Sequence, residues 1–262
     1  CNQWAEAARS AHMKYAILTV KHTGGWCLWD SAYTDHDITQ FKNYKAGRGD
    51  IVREFVEAFR KRGIEVGFYY CFPLLSRKWR EYWTLPIKGF KEGKCDAVGF
   101  IKAQFKELLT KYGRISVLWV DQAVSNHGGL KPGDWKRIKA YVHQIAPHCI
   151  VIANNQMDYS LTDIYGYEYP YLRRLPPEGN KDPSEVCDKL QAYWFSCRKG
   201  EALPVRSTEY VVKMLRFLER NHSNYLLNCA PDDTGLLCKA AVSYTHLRAH
   251  ETRHDLVCRL LL

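Results

Sequence analysis

No stretch of the chain approaches the ~20 consecutive apolar residues that a membrane-spanning helix needs, so no membrane partner is expected. Regular cysteine spacing is also missing. The ten cysteines include no C-x-x-C pair and no Cys/His cluster at zinc spacing, which argues against both a disulfide scaffold and a structural zinc site. Several of them, such as Cys71 and Cys229, end apolar runs and read as small buried residues, which leaves the redox compartment open. A glycine-rich phosphate turn is absent as well. Gly24 and Gly25 follow an apolar run, but Trp26 stands where a helix should begin, which argues against an open dinucleotide-binding sheet. Finally, there is no block of one charge sign. Lys and Arg outnumber Asp and Glu by 38 to 28, a net charge of +10. They are scattered over amphipathic segments such as Arg53–Arg62 and Lys102–Lys111, where Glu residues interrupt them. Solvated helix faces account for that pattern better than a nucleic-acid surface does.

What is present is enough apolar material for one large domain: 262 residues, 46% of them hydrophobic. The 13% of aromatics supply faces on which sugar rings stack as readily as they fill cores. Short β-branched or aromatic runs alternate with helical periodicity. The expected strands are Tyr15–Lys21, Glu65–Tyr70, Ile115–Asp121, Cys149–Asn154, Asp163–Glu168, Ala192–Ser196 and Asn224–Asn228. Helices are expected near Asn2–Ala11, Asp50–Arg62, Asp96–Tyr112, Gly133–Ile145 and Thr208–Asn221, with Gly63 and Gly113 as left-handed helix ends. This order predicts an α/β fold with a parallel sheet covered on both faces. Seven strands are one short of a (β/α)8 TIM-like barrel, so an incomplete barrel lacking its first strand is expected over residues 1–238. Cys1 opens inside a helical pattern, which predicts that the natural N-terminus and any signal peptide lie upstream. Localisation stays open, and a periplasmic or secreted setting is compatible. Residues 239–262 do not continue the design. Val242–Leu262 is rich in Arg and His and resembles a translated sequencing adapter, so this tail is assigned no function, with a short helix as the alternative.

Parallel barrels carry their chemistry at the C-terminal ends of the strands. That rule selects His22, Tyr70, Asp121, Asn154 to Gln156, Glu168 and Asn228. Asp121 closes the apolar run ISVLWVDQ, where an unpaired carboxylate is costly; it reads as a nucleophile or as a helix N-cap. Alternation puts Trp119 on the same side of its strand. A glycosidase needs a second carboxyl that keeps its proton. Glu168, between Tyr167 and Tyr169, fits because aromatic surroundings disfavour the ionised form. Glu185 and Glu178, on a proline-rich stretch, are rivals. His22 either donates to a sugar hydroxyl or is structural. Tyr70, Trp26 and Trp29 belong to a pocket rim or to the core, and the loop Pro73–Gly93 is expected to shape the leaving-group side. No histidine has a ligand set suited to a metal, and no cofactor is expected.

Six segments in strand order resemble the α-L-fucosidase family of retaining glycosidases: Lys14–Ser31, Tyr33–Asp37, Gly49–Tyr70, Ile115–Gln122, Thr162–Pro170 and Asn224–Gly235. The resemblance implies Asp121 as nucleophile and Glu168 as acid/base. It also implies His22, Tyr70 and Trp119 around the sugar of a fucosylated oligosaccharide or glycoconjugate, where Trp29 and Gln156 are expected from their own positions. The chain departs from the family where Thr23 follows His22 in place of a second histidine. Gln156 stands where an arginine is usual, and the strand-one motif has no counterpart. The alternative is a non-catalytic carbohydrate-binding barrel of the same origin.

Overall fold

The computed structural model describes residues 1–72, 97–124, 130–169, 172–195, 204–238, 242 and 258–261. Eight strands form one sheet: β1 (Tyr15–Lys21), β2 (Glu65–Cys71), β3 (Val117–Asp121), β4 (Ile150–Ala153), β5 (Tyr165–Glu168), β6 (Ser184–Lys189), β7 (Ser223–Asn228) and β8 (Cys258–Leu261). Their order is β4-β3-β2-β1-β8-β7-β6-β5, and every ladder between them is parallel. The two end strands also meet. Asp163 N–H donates to Val151 O at 2.8 Å, and Gly166 N–H to Gln156 O at 3.3 Å. A side chain at Gly166 would start 3.0 Å from Ala153 O, so glycine is what lets β5 come this close to β4. The sheet thereby curls round into a barrel.

The helices are α1 (Asn2–Ser10), α2 (Ile51–Arg60), α3 (Ala97–Thr110), α4 (Pro132–Ile145) and α5 (Thr208–Arg220). Their starts follow local chemistry. Asp50 caps α2 by accepting from Arg53 N–H at 2.8 Å, Ser207 caps α5 through Tyr210 N–H at 3.2 Å, and Pro132 occupies the first turn of α4, where its missing N–H costs nothing. Gly63 and Gly113 adopt φ of 70° and 71°, the left-handed ends expected of them. Buried Val52, Phe55, Val56 and Phe59 on α2 and Val211, Met214, Leu215 and Leu218 on α5 recur at helical spacing, so each helix lays one apolar stripe on the strands.

Alternation along the strands divides the core in two. Phe68, Tyr70, Leu118, Val120, Val151, Val186, Tyr225 and Leu227 pack outward against the helices, with Phe55, Phe105 and Trp135. Ile17, Tyr69, Cys71, Val117, Trp119, Ile152, Cys187 and Leu226 form a smaller column inside the barrel. At roughly 1.5–3 kcal/mol for each fully buried large apolar side chain, the outer shell supplies most of the stability. The inner column is therefore free to carry polar groups at its open end.

Two expectations change. Ser184–Lys189 is a strand and Ala192 to Phe195 are not. SEVCDK looks too polar for a buried strand because its acids are individually satisfied. Asp188 accepts from the hydroxyls of Tyr210 and Tyr225 at 3.0 and 2.8 Å, and Glu185 accepts from Trp119 Nε1 at 3.0 Å. At the other end, the chain enters β1 from α1, and the slot between β1 and β7 is taken by β8. Cys258–Leu261 thus has a strand position in the sheet.

One irregularity positions the site. The β1–β2 register shifts between Thr19 and Lys21, a bulge that changes which side chains face inward. Val20 and Lys21 both turn to the outer layer, where Lys21 Nζ donates to Cys71 O at 3.0 Å and lies 4.4 Å over the Tyr70 ring. His22 is consequently delivered to the inside of the mouth.

Candidate active site

At the C-terminal end of the barrel lies a cavity of about 520 Å³ whose walls include His22, Tyr69, Trp119, Asp121, Asn154, Glu168, Trp194 and Asn228. Asp121 ends β3 and Glu168 ends β5, and the side-chain amide of Asn154 sits between them. Its Nδ2 donates to Asp121 Oδ1 at 3.0 Å and to Glu168 Oε2 at 2.9 Å. A single nitrogen that serves both acceptors keeps those two oxygens within about 6 Å of each other. That closeness accommodates the roughly 5–5.5 Å between the carboxyl groups of a retaining pair. Asp121 Oδ1 also accepts from Gln122 N–H at 2.9 Å and Oδ2 from the Tyr69 hydroxyl at 2.8 Å. Asn155 Nδ2 adds a second donor to Glu168 Oε2 at 3.1 Å. Gln122 and Asn155, each directly after a site residue, hold φ of 54° and 57°. Such left-handed backbone is uncommon outside glycine, and sites are where it collects.

The two carboxyls stand in different electrostatic settings. Burial pushes the pKa of Glu168 above its ordinary value, and the charge of Asp121 adds to the push; the amides of Asn154 and Asn155 oppose it. Asp121 has four donors on its oxygens, counting the thiol of Cys71 at 3.9 Å. Burial lowers His22, against the pull of Asp121, and raises Tyr69 well above its usual value with help from the Asp121 charge. Tyr69 therefore stays a neutral hydroxyl donor. Its ring stacks on Trp119 at 5.2 Å and on His22 at 5.7 Å, which makes one continuous aromatic wall.

Of the residues singled out in the sequence, Asp121, Glu168, His22 and Trp119 converge on the cavity. Tyr70 does not. It is fully buried in the outer layer and donates to Gln104 Oε1 at 2.6 Å; the inward position belongs to its neighbour Tyr69. Trp29 is likewise fully buried, with its indole N–H on Glu107 Oε2 at 2.9 Å, because the chain after β1 folds back against α3. Gln156 turns its amide to Val124 O at 3.2 Å, and Asn154, two residues earlier, takes the place between the carboxyls. Glu185 is 1% exposed. It lies behind Trp119 and also accepts from the Tyr15 hydroxyl, so it is not positioned to reach a bound sugar from the cavity. Glu178 is exposed, and Pro73–Gly93 lies outside the described residues.

Residues not assigned from the sequence complete the walls: Tyr69, Trp4 of α1, and Trp194 and Phe195 after β6. Only strand parity or tertiary contact identifies them. Among the described residues, the buried Oδ1 atoms of Asn154 and Asn228 have no hydrogen-bond partner. Since both residues line the cavity, these are acceptors placed to meet hydroxyl donors. His22, Cys71 and Asp121 bring one ligand atom each to within 4.8 Å of one another, a grouping hidden in the sequence because the three end three different strands.

A curled parallel α/β sheet with paired carboxyls and an aromatic wall at the C-terminal ends of its strands defines the class. The family model described as Alpha-L-fucosidase matches residues 1–246, and the chain belongs to that family. It is 30% identical to Alpha-L-fucosidase 1 of Arabidopsis thaliana over 161 residues, 58% of this chain and 28% of that protein. It is 28% identical to the plasma alpha-L-fucosidase of Rattus norvegicus over 252 residues, 90% of this chain and 50% of that one. Among solved structures, alpha-L-fucosidase isoenzyme 1 from Paenibacillus thiaminolyticus superposes with a TM-score of 0.76 at 28% identity, covering 97% of this chain and 63% of that one. The chain thus spans about a quarter to a half of the length of these two curated relatives.

Proposed function

We propose that this barrel hydrolyses terminal α-L-fucosides, or glycosides of closely related L-galacto configuration, with retention of the anomeric centre. Asp121 attacks the anomeric carbon while Glu168 gives its proton to the departing glycosidic oxygen. Glu168 then takes a proton from the water that releases the sugar from Asp121. The observation that carries this reading is the single Asn154 amide bound to both carboxyls, which holds them at a spacing suited to direct attack. Burial favours the protonated form that Glu168 needs for the first step. Trp119 and Tyr69 offer the sugar a stacked apolar wall, and Asn154 Oδ1 and Asn228 Oδ1 offer it acceptors. The names of the family and of the compared proteins support fucose as the sugar.

The test is release of the chromophore from an aryl α-L-fucoside, with the first-formed sugar anomer read by NMR. Turnover with α-fucose as the initial product is expected, and Asp121→Asn should lower kcat by at least about 10³-fold. An inverted product, or an Asp121→Asn variant as active as the parent, would overturn the assignment. Saturable fucose binding without turnover would favour the carbohydrate-binding alternative.

A further inference from the structure

We infer that the mouth of the barrel is also a site for a soft or borderline divalent cation such as Zn²⁺, held by His22, Cys71 and Asp121, and that its occupation blocks the site. The three ligands end adjacent parallel strands. Cys71 and Asp121 are register partners across β2 and β3, and His22 follows β1, which pairs with β2. Their ligand atoms lie within 4.8 Å of one another, with Cys71 Sγ 3.9 Å from Asp121 Oδ2. A tetrahedral zinc with Zn–S near 2.3 Å and Zn–N and Zn–O near 2.1 Å sets its ligands roughly 3.5 Å apart. Rotation of the side chains by about an ångström therefore closes the set without moving a strand.

Thiolate, imidazole and carboxylate together select zinc, cadmium or cobalt over magnesium or calcium, which prefer all-oxygen shells. Supporting groups are already in place: Tyr69 on Asp121 Oδ2 at 2.8 Å, Asn154 and Gln122 on Oδ1, and Thr23 Oγ1 3.0 Å from His22 Nδ1. Such partners orient ligands. A water molecule would complete the tetrahedral shell. Binding releases the thiol proton of Cys71 to solvent and engages the carboxylate of Asp121. The cation is thus an inhibitor, and a chelator should raise activity, the opposite of what a metal-dependent hydrolase shows. The claim of binding is independent of the proposed hydrolysis; the claim of inhibition rests on it.

Cobalt(II) titration of the metal-free chain tests the site. A thiolate-to-cobalt charge-transfer band should grow to saturation with one metal per chain, vanish in Cys71→Ser, and persist in Cys229→Ser. His22→Ala should weaken binding by more than about 100-fold, beyond the usual 10- to 100-fold loss of a supporting partner. Absence of the band, or a band of parental strength in Cys71→Ser, overturns the site. Should Cys71→Ser fail to fold, the half-buried His22 decides: unchanged cobalt affinity in His22→Ala also overturns it. In the activity assay, Zn²⁺ should compete with the fucoside. Cobalt binding without inhibition removes Asp121 from the ligand set, whereas a metal-free chain without turnover counts against the hydrolase reading alone.

Discussion

A difference of one residue separates Tyr69 from Tyr70, and the two have opposite roles. Both phenols belong to an apolar strand covered on both faces, so nothing in the run EVGFYYC tells which phase points inward. Cross-strand register resolves it, because Tyr69 pairs with Trp119 and Cys71 with Asp121. Tyr69→Phe removes a hydrogen bond to a carboxylate, worth about 1.5–3 kcal/mol. It is expected to lower kcat/KM at least about 10-fold and to lower the thermal midpoint as well. Tyr70→Phe strands Gln104 Oε1 in the outer core and is expected to cost about 1–3 kcal/mol of stability with kcat/KM unchanged; kinetics separate the two. The alkaline limb of kcat/KM should follow deprotonation of Glu168 and lie above the ordinary carboxylate range. Asn155→Ala removes a donor that favours the ionised form, so that limb should move to still higher pH. A downward shift would contradict the assignment. Because the folded value of Glu168 is raised, the folded state binds that proton more tightly than the unfolded chain does. Its contribution to stability is therefore lost as pH rises above the ordinary value near 4.3. Glu168→Gln should raise the melting temperature at neutral pH and leave it unchanged below about pH 4.

At the scale of elements, helices were legible nearly to the residue, since caps, apolar stripes and terminal glycines are local signals. Strands with β-branched cores, such as β1 and β3, were legible too. β6 was not. Its buried acids are tolerated through hydroxyls on β1, α5 and β7 and an indole on β3, partners remote in sequence, while the aromatic run Ala192–Ser196 imitated a strand. The bulge in β1 was equally invisible, and with it the outward turn of Lys21. Burial pulls that ammonium down to about 8. The unfolded chain thus holds a proton between about pH 8 and 10.5 that the folded barrel lacks, and stability should rise with pH across that window. The gain should be of order 3 kcal/mol. Denaturant titrations of the parent and of Lys21→Met should differ in this slope, and identical slopes would show that Lys21 is charged in the folded state.

For the whole molecule, the parallel α/β plan and the two carboxyls followed from the sequence, because strand order and strand ends are local properties. The partner of the tail is a long-range property and did not. β8 pairs with β1 at Ala16 and Ile17 and with β7 from Tyr225 to Asn228, which leaves neither strand with a free edge. A chain ending before Cys258 should melt at lower temperature and show increased light scattering as the two exposed edges associate. Leu261 is paired on one side with Ile17 and on the other with Asn228, so the spacing between β1 and the end of β7 is gauged by the backbone of a segment some thirty residues downstream. Shortening the C-terminus should therefore act on sugar affinity as a caliper acts on a gap, altering reach without exchanging any group that touches the ligand.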